Sequence, residues 1–261
     1  MDANFFARLQ AQNTLSEEST IEKSRKVLWE IVEFFKSLPD YEENVRIFAE
    51  LVRNLEVKTL KECDSFMIQP TLLWKQIPEE YRHDSYGMCR GDYIVYSGRY
   101  VYPVKDVKGN VMGWCGYDKY EDTKYLDSVN YGYHAKTYSV WGMEKLPEYY
   151  RNEEPVFFVE GIVCALYLRQ CGLQALALLG SSISPYVTQI INRFKTRAII
   201  VCDSDEAGTK CRHYLRRNCH LARCIQSRIA KDVDDSREVD PMFAVELRKL
   251  SDHFYRSPLF S

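Results

Sequence analysis

Between residues 153 and 230, short apolar runs alternate with longer amphipathic ones. "VFFV" (156–159) has the density of a short buried strand, and "GIVCALYLRQCG" (161–172) reads as a helix closed by Gly172. "LQALALL" (173–179) carries the next strand, although its composition also suits a helix. "SPYVTQIINRF" (184–194) is a helix with Pro185 in its first turn, and "RAIIVC" (197–202) is a strand. "EAGTKCRHYLRRN" (206–218) is a helix and "ARCIQSRI" (222–229) a last strand. This alternation predicts an α/β unit, a mainly parallel sheet flanked by helices.

Upstream the period changes. Residues 1–15 read as an arm, and Ser16 with Glu17 and Glu18 starts a helix. Ile21, Leu28, Ile31, Val32 and Phe35 keep helical spacing until Pro39 ends it. Val45, Phe48, Val52 and Leu55 predict a second helix over roughly 41–62, making an acid-rich helical pair for packing or partner docking. Residues 63–152 are rich in tyrosine and turn signals, a mixed α+β region. Within it, "YVYPVKDVKGNVMGWCGY" (100–117) is a hairpin around "VKGN", with Gly109 supplying positive φ. The expected division is an N-terminal helical segment (1–62), an α+β subdomain (63–152), the α/β unit (153–235) and a C-terminal helical tail (236–261).

The 261 residues suffice for one large or two small cores, and the formal net charge of -2 gives no global basic field. Nine cysteines, several inside apolar runs and none in Cys-x-x-Cys, read as reduced core thiols and leave no zinc ribbon. No stretch resembles a signal peptide or membrane span, so a soluble, cytoplasmic chain is expected, with no membrane partner.

The chemistry collects at strand ends. "VFFVE" ends at Glu160, followed by Gly161; "AIIVCDSD" ends at Asp203 and Asp205; "AKDVDDS" places Asp232, Asp234 and Asp235 after the last strand. Open α/β sheets bind ligands beyond the carboxyl ends of their strands, so neighbouring strands would bring these acids to one crevice. Clustered carboxylates repel, and a divalent cation offsets that cost; oxygen donors without His or Cys suit Mg2+ or Mn2+ and metal-assisted phosphoryl chemistry. Asp-Ser-Asp-Glu after a strand is equally a helix N-cap with acids in the first turn. An EF-hand loop fails because Ala207 and Tyr214 stand at ligand positions. A haloacid-dehalogenase phosphatase fits poorly, since too little chain follows residue 205, and no Rossmann or P-loop glycine fingerprint is present.

Glu-Gly after a strand, then "DSDEAG", then "KDVDD", resembles the Toprim domain, a metal-binding fold shared by DnaG-type primases, topoisomerases, some ribonucleases and recombination proteins. "RYVYPVKDVKGNVMGWCGY" resembles the strand pair that precedes Toprim in DnaG-type primases, with Arg99, Pro103, Asp106, Gly109 and Gly113 in place. "TKYLDS" (123–128), "KTYSVWGM" (136–143) and "LGSS" (179–182) resemble further family stretches in order. From about residue 90 to 240 the chain thus resembles a DnaG-type primase polymerase core. The resemblance implies DNA-templated synthesis of short RNA primers from NTPs on single-stranded DNA. It implies that Glu160, Asp203, Asp205, Asp232 and Asp234 hold Mg2+ or Mn2+, with Glu160, Asp203 and Asp205 catalytic. It implies nucleotide or template binding by Arg99, Lys124, Lys136, Gly161, Ser181 and Gly208. Tyr117 stands where the family has Arg, and Cys164 where an Asp is common. A reduced, phage-like core that borrows a helicase or a separate zinc-domain partner is the expectation, acting in the host cytoplasm if phage-encoded. A metal-dependent Toprim nuclease and a non-catalytic replisome accessory protein are the alternatives.

Two other features bear on binding. Lys210, Arg212, Arg216, Arg217, Arg223, Arg228 and Lys231 run without an intervening acid, which suits nucleic acid or triphosphate as well as a solvated face. The tyrosines of 117–150 could stack bases, or simply fill a core. Cys211, His213, Cys219, His220 and Cys224 match no zinc spacing.

Overall fold

A computed structural model of the chain describes residues 18–51, 55–121, 125–127, 129–130, 133–134, 139–226 and 246–249. Helix α1 (Glu18–Lys36) stops short of Pro39, which bars helical geometry at Leu38. Helices α2 (Tyr41–Leu51) and α3 (Val57–Glu62) replace the single helix expected over 41–62. The reason is tertiary: Leu55 is buried, Glu56 is extended, and the Glu56 amide donates to Gln170 Oε1 at 2.8 Å instead of to a helical carbonyl. Val52 lies outside the described residues.

Strand β1 (Phe66–Met67) is followed by a small ribbon, β2 (Cys89–Arg90) with β3 (Tyr93–Ile94). Then comes the expected hairpin, β4 (Tyr100–Lys105) and β5 (Val111–Tyr117). Asp106 closes its turn by accepting from the Lys108 and Asn110 amides at 2.8 and 2.9 Å, while Gly109 takes φ +85°. β6 (Tyr125–Asp127) completes an antiparallel sheet of order β1-β4-β5-β6, and β7 (Val129–Asn130) pairs β8 (Tyr133–His134). Phe35 stacks on Phe66 at 4.7 Å and Phe48 on Tyr100 at 3.6 Å, so α1 and α2 cover this sheet.

After α4 (Leu146–Arg151) the chain becomes the α/β unit: β9 (Val156–Val159), α5 (Ile162–Gln170), β10 (Gln174–Ala177), α6 (Pro185–Phe194), β11 (Ala198–Cys202), α7 (Glu206–Asn218) and β12 (Arg223–Gln226). The strands pair in parallel in the order β10-β9-β11-β12. Alternation along each strand divides its side chains between two cores. Phe157, Val159, Ala175, Ala177, Ile199 and Val201 face α5 and are continuous with the core of the antiparallel sheet. Val156, Phe158, Leu176, Ile200 and Cys202 face Ile190, Ile191 and Phe194 of α6 and Cys211 and Leu215 of α7. Burial on both faces is why these strands read as unbroken apolar runs. Among the described residues no helix is long and apolar enough to cross a membrane.

One ion cluster ties the first helices to the hairpin. Asp64, in the left-handed region at φ +58°, accepts from Lys36 at 2.7 Å and from the buried Lys105 at 2.6 Å. The Lys105 ammonium also lies 5.0 Å from the Trp29 ring. Burial pushes the Asp64 carboxyl up, but the hydrogen bonds and charges of Lys105 and Lys36 outweigh it and hold the group below its ordinary value. Its stabilisation is therefore full above the unfolded carboxyl range and is lost as pH falls through the lowered folded value. Asp64→Asn tolerates the same backbone conformation, and urea unfolding at pH 7 should show a loss of about 2 kcal/mol. That difference should shrink towards pH 3; a difference independent of pH would contradict this account.

Candidate active site at the carboxyl ends of the parallel strands

Register builds the site. Val201 pairs with Val159, so β9 and β11 end side by side, and the next residues, Glu160 and Asp203, meet. Glu160 Oε1 accepts the Asp203 amide at 3.3 Å. The third contributor is the turn after β10, where Leu179 (φ +61°) and Gly180 (φ +118°) are both left-handed. A branched aliphatic residue rarely adopts that conformation, and the strain lies in the turn that brings the Gly180 amide to the Glu160 carbonyl at 3.2 Å.

Asp205 is the N-cap of α7: its Oδ1 accepts the Gly208 amide at 2.8 Å. The N-cap reading of "DSDEAG" thus holds for Asp205, while Asp203 lies before the cap. Capping uses one carboxylate oxygen, and an ionised carboxylate has about four acceptor positions. Gly208 is packed so tightly under the strand end that a Cβ would collide with the Asp203 backbone. The Cys202 thiol hydrogen-bonds Cys211; that bond, burial and the Glu160 and Asp203 carboxylates push its ionisation well up, so a neutral thiol underlies the acids.

Gly161 opens α5, and a Cβ there would lie 2.9 Å from the Tyr125 hydroxyl. That hydroxyl accepts the Val163 amide at 3.3 Å, serving one of the unpaired donors of the helix's first turn. Desolvation, then the neighbouring Cys164 and Tyr117, raise the Tyr125 pKa well above its ordinary value. Tyr125 therefore joins the β6 edge to the Glu160–Gly161 turn as a neutral hydroxyl. The sequence reading missed this role, although "TKYLDS" contains the residue. Tyr117 and Cys164, the two departures from the resembled pattern, both neighbour it, with the Tyr117 ring 5.0 Å away.

The remaining predicted residues divide. Ser181 and Asp205 share a cleft of about 690 Å³. Arg99 immediately precedes β4 of the other sheet, where its side chain crosses Gly116 of β5: a Cβ at 116 would lie 3.2 Å from Arg99 Cδ. Lys124, Lys136, Asp232, Asp234 and Asp235 lie outside the described residues. Among the described residues no three His, Cys, Asp or Glu side chains surround a cation position. The side chains that the strand ends and the start of α7 offer, Glu160, Asp203 and Asp205, carry hard carboxylate oxygens, a donor type that fits Mg2+ or Mn2+. Cys211, Cys219 and Cys224 face the core while His213 and His220 face solvent, so α7 scatters that group.

No family model matches the chain. Over 119 residues, 44% of this chain, it is 29% identical to the DNA primase of Legionella pneumophila. Over 115 residues, 43% of the chain, it is 30% identical to that of Aquifex aeolicus. These matches span 21% and 23% of the two primases, about a fifth of their length. In three dimensions it superimposes on the DnaG primase catalytic domain bound to single-stranded DNA with a TM-score of 0.71. That match has 20% identity and covers 89% of this chain and 83% of that one. The chain has the fold of a DnaG-type primase catalytic core. The RNA polymerase domain of Mycobacterium tuberculosis DnaG has the same primase-core fold, at TM-score 0.70 and 16% identity, covering 88% of this chain and 83% of its own.

Cap and acid chemistry separate by substitution. Asp205→Ala should cost about 1 kcal/mol in urea unfolding, whereas Asp205→Asn, which can still cap, should stay within a few tenths of wild type. Equal losses in both would mean that charge, not capping, stabilises this turn.

Proposed function

We propose that the chain is a DNA primase: it synthesises short RNA primers from NTPs on single-stranded DNA by metal-dependent nucleotidyl transfer. The observation that carries this reading is the meeting of Glu160 and Asp203 at adjacent parallel strand ends, inside a primase-core fold. Glu160, Asp203 and Asp205 would hold the divalent cation, joined by Asp232 and Asp234 from the stretch after β12. Bound there, Mg2+ or Mn2+ supplies charge neutralisation for the triphosphate and the departing pyrophosphate.

This chain's own residues position that chemistry. The Asp203 amide orients the Glu160 carboxylate, and the Asp205 cap fixes the start of α7. Tyr125 locks the first turn of α5 and excludes any side chain at position 161. Arg99, Lys124 and Lys136 are the cations assigned to phosphate or template; Gly161 and Gly208 serve the site by letting Tyr125 and the Asp203 backbone pack against the two helix starts. The single-stranded DNA bound to the similar DnaG catalytic domain supports a single strand as template here. A replicative helicase or a separate zinc-domain protein would be its partner, and the work would take place in the cytoplasm.

Incubation with mixed-sequence single-stranded DNA, labelled NTPs and Mg2+ or Mn2+ tests the reading. Short labelled RNA should form with wild type and fall at least about 100-fold with Asp203→Asn. Template cleavage without NTPs, or equal synthesis by the variant, would overturn it.

A further inference from the structure

We infer that the outer face of α7 and the cleft at its start bind single-stranded nucleic acid beside the candidate active site, with a base against Tyr214 and phosphates along Lys210 and Arg217. This rests on the proposed handling of single strands, and adds the stripe along α7 to the residues assigned above, of which Ser181 and Asp205 line the same cleft.

Three observations converge. The first is chemical polarity along the helix. Cys211 and Leu215 are buried, whereas Lys210, Tyr214 and Arg217 are exposed at i, i+4 and i+7, one stripe spanning about 10 Å. From 207 to 226 no acid occurs, so α7 has no acid along that length to neutralise Arg216 or Arg217; Glu206, at its start, pairs with Lys210 at 2.7 Å. A merely solvated face more commonly mixes both signs.

The second is the cleft. Its volume of about 690 Å³ suits a nucleotide-sized group. Ile183, Ala207 and Cys211 give it an apolar lining, and Ser181 and Ser182 add hydroxyls. Asp205 and Glu206 are also in the lining and repel phosphate there. An uncharged base can enter where a phosphate cannot, which leaves the backbone to follow the basic stripe outside.

The third is preorganisation. Tyr214 lines the cleft and is 37% exposed. Its hydroxyl lies 3.4 Å from Thr188 Oγ1 on α6, and its backbone sits in the regular helix α7. A ring held in this way stacks any base without sequence preference.

Fluorescence anisotropy of a labelled oligothymidylate, in EDTA and over a salt series, tests the surface without the metal. Tyr214→Ala should weaken binding about tenfold with an unchanged salt slope, and Tyr214→Phe, which keeps the ring but loses the Thr188 contact, should restore most of it. Lys210→Gln with Arg217→Gln should lower the salt slope by about one to two, while Lys58→Gln on α3 leaves it alone. Thermal melting identifies any variant that fails to fold; if Tyr214→Ala does, the charge pair and its slope decide. Wild-type binding undiminished by all the α7 variants would overturn this surface and leave primer synthesis standing. Wild type that binds no strand would also overturn it, and the primer assay on the same preparation decides the proposed function separately.

Discussion

The parallel pairing of β9 with β11 is the constraint on which the site depends. Both strands are apolar on both faces, so each must be covered by helices on either side, and a slip of one residue would exchange the two cores. Burying Phe157 and Phe158 on opposite faces of one strand contributes about 1.5–3 kcal/mol each. That energy holds the register, and the register alone brings Glu160 beside Asp203. Acids at neighbouring strand ends repel one another. The fold keeps them adjacent by anchoring the Glu160 side chain to a backbone amide and by seating α7 on Gly208, where any larger residue would strike the Asp203 backbone.

A second coupling runs between the sheets. Tyr125, at the edge of the antiparallel sheet, reaches the first turn of α5 and fills the space left by Gly161. Tyr117 and Cys164, which stand where the resembled family carries charge, lie around the same tyrosine. An uncharged cluster thus occupies this junction, and the Tyr125 hydroxyl adds to the Asp203 and Gly180 amides that fix the Glu160 turn. The Asp64 cluster plays the corresponding role at the far side, joining α1 and the hairpin through the buried Lys105.

Much of this was legible from pattern. The strands of the α/β unit and the hairpin at 100–117 fall where apolar runs and Gly109 place them, because each is bounded by a strong turn or cap. Glu160 and Asp203 were legible as partners because strand ends in a parallel sheet converge. The break between α2 and α3 was not, since helical periodicity continues through Leu55 and only a distant residue, Gln170, draws the Glu56 amide away. Tyr125 was hidden for the same reason: its sequence neighbours give a short strand, and its function comes from Gly161 and Val163 across the interface. The separate duties of Asp203 and Asp205 likewise needed the start of α7 to be located.

The central claim, that Glu160 and Asp203 act together as cation ligands, is tested most directly by Mn2+ binding followed by electron paramagnetic resonance on the unliganded protein. Wild type should bind Mn2+, and Glu160→Gln and Asp203→Asn should each weaken it by about tenfold or more, with the double variant little worse than either single one. Mn2+ affinity unchanged in both single variants would contradict the account, whatever activity the protein shows.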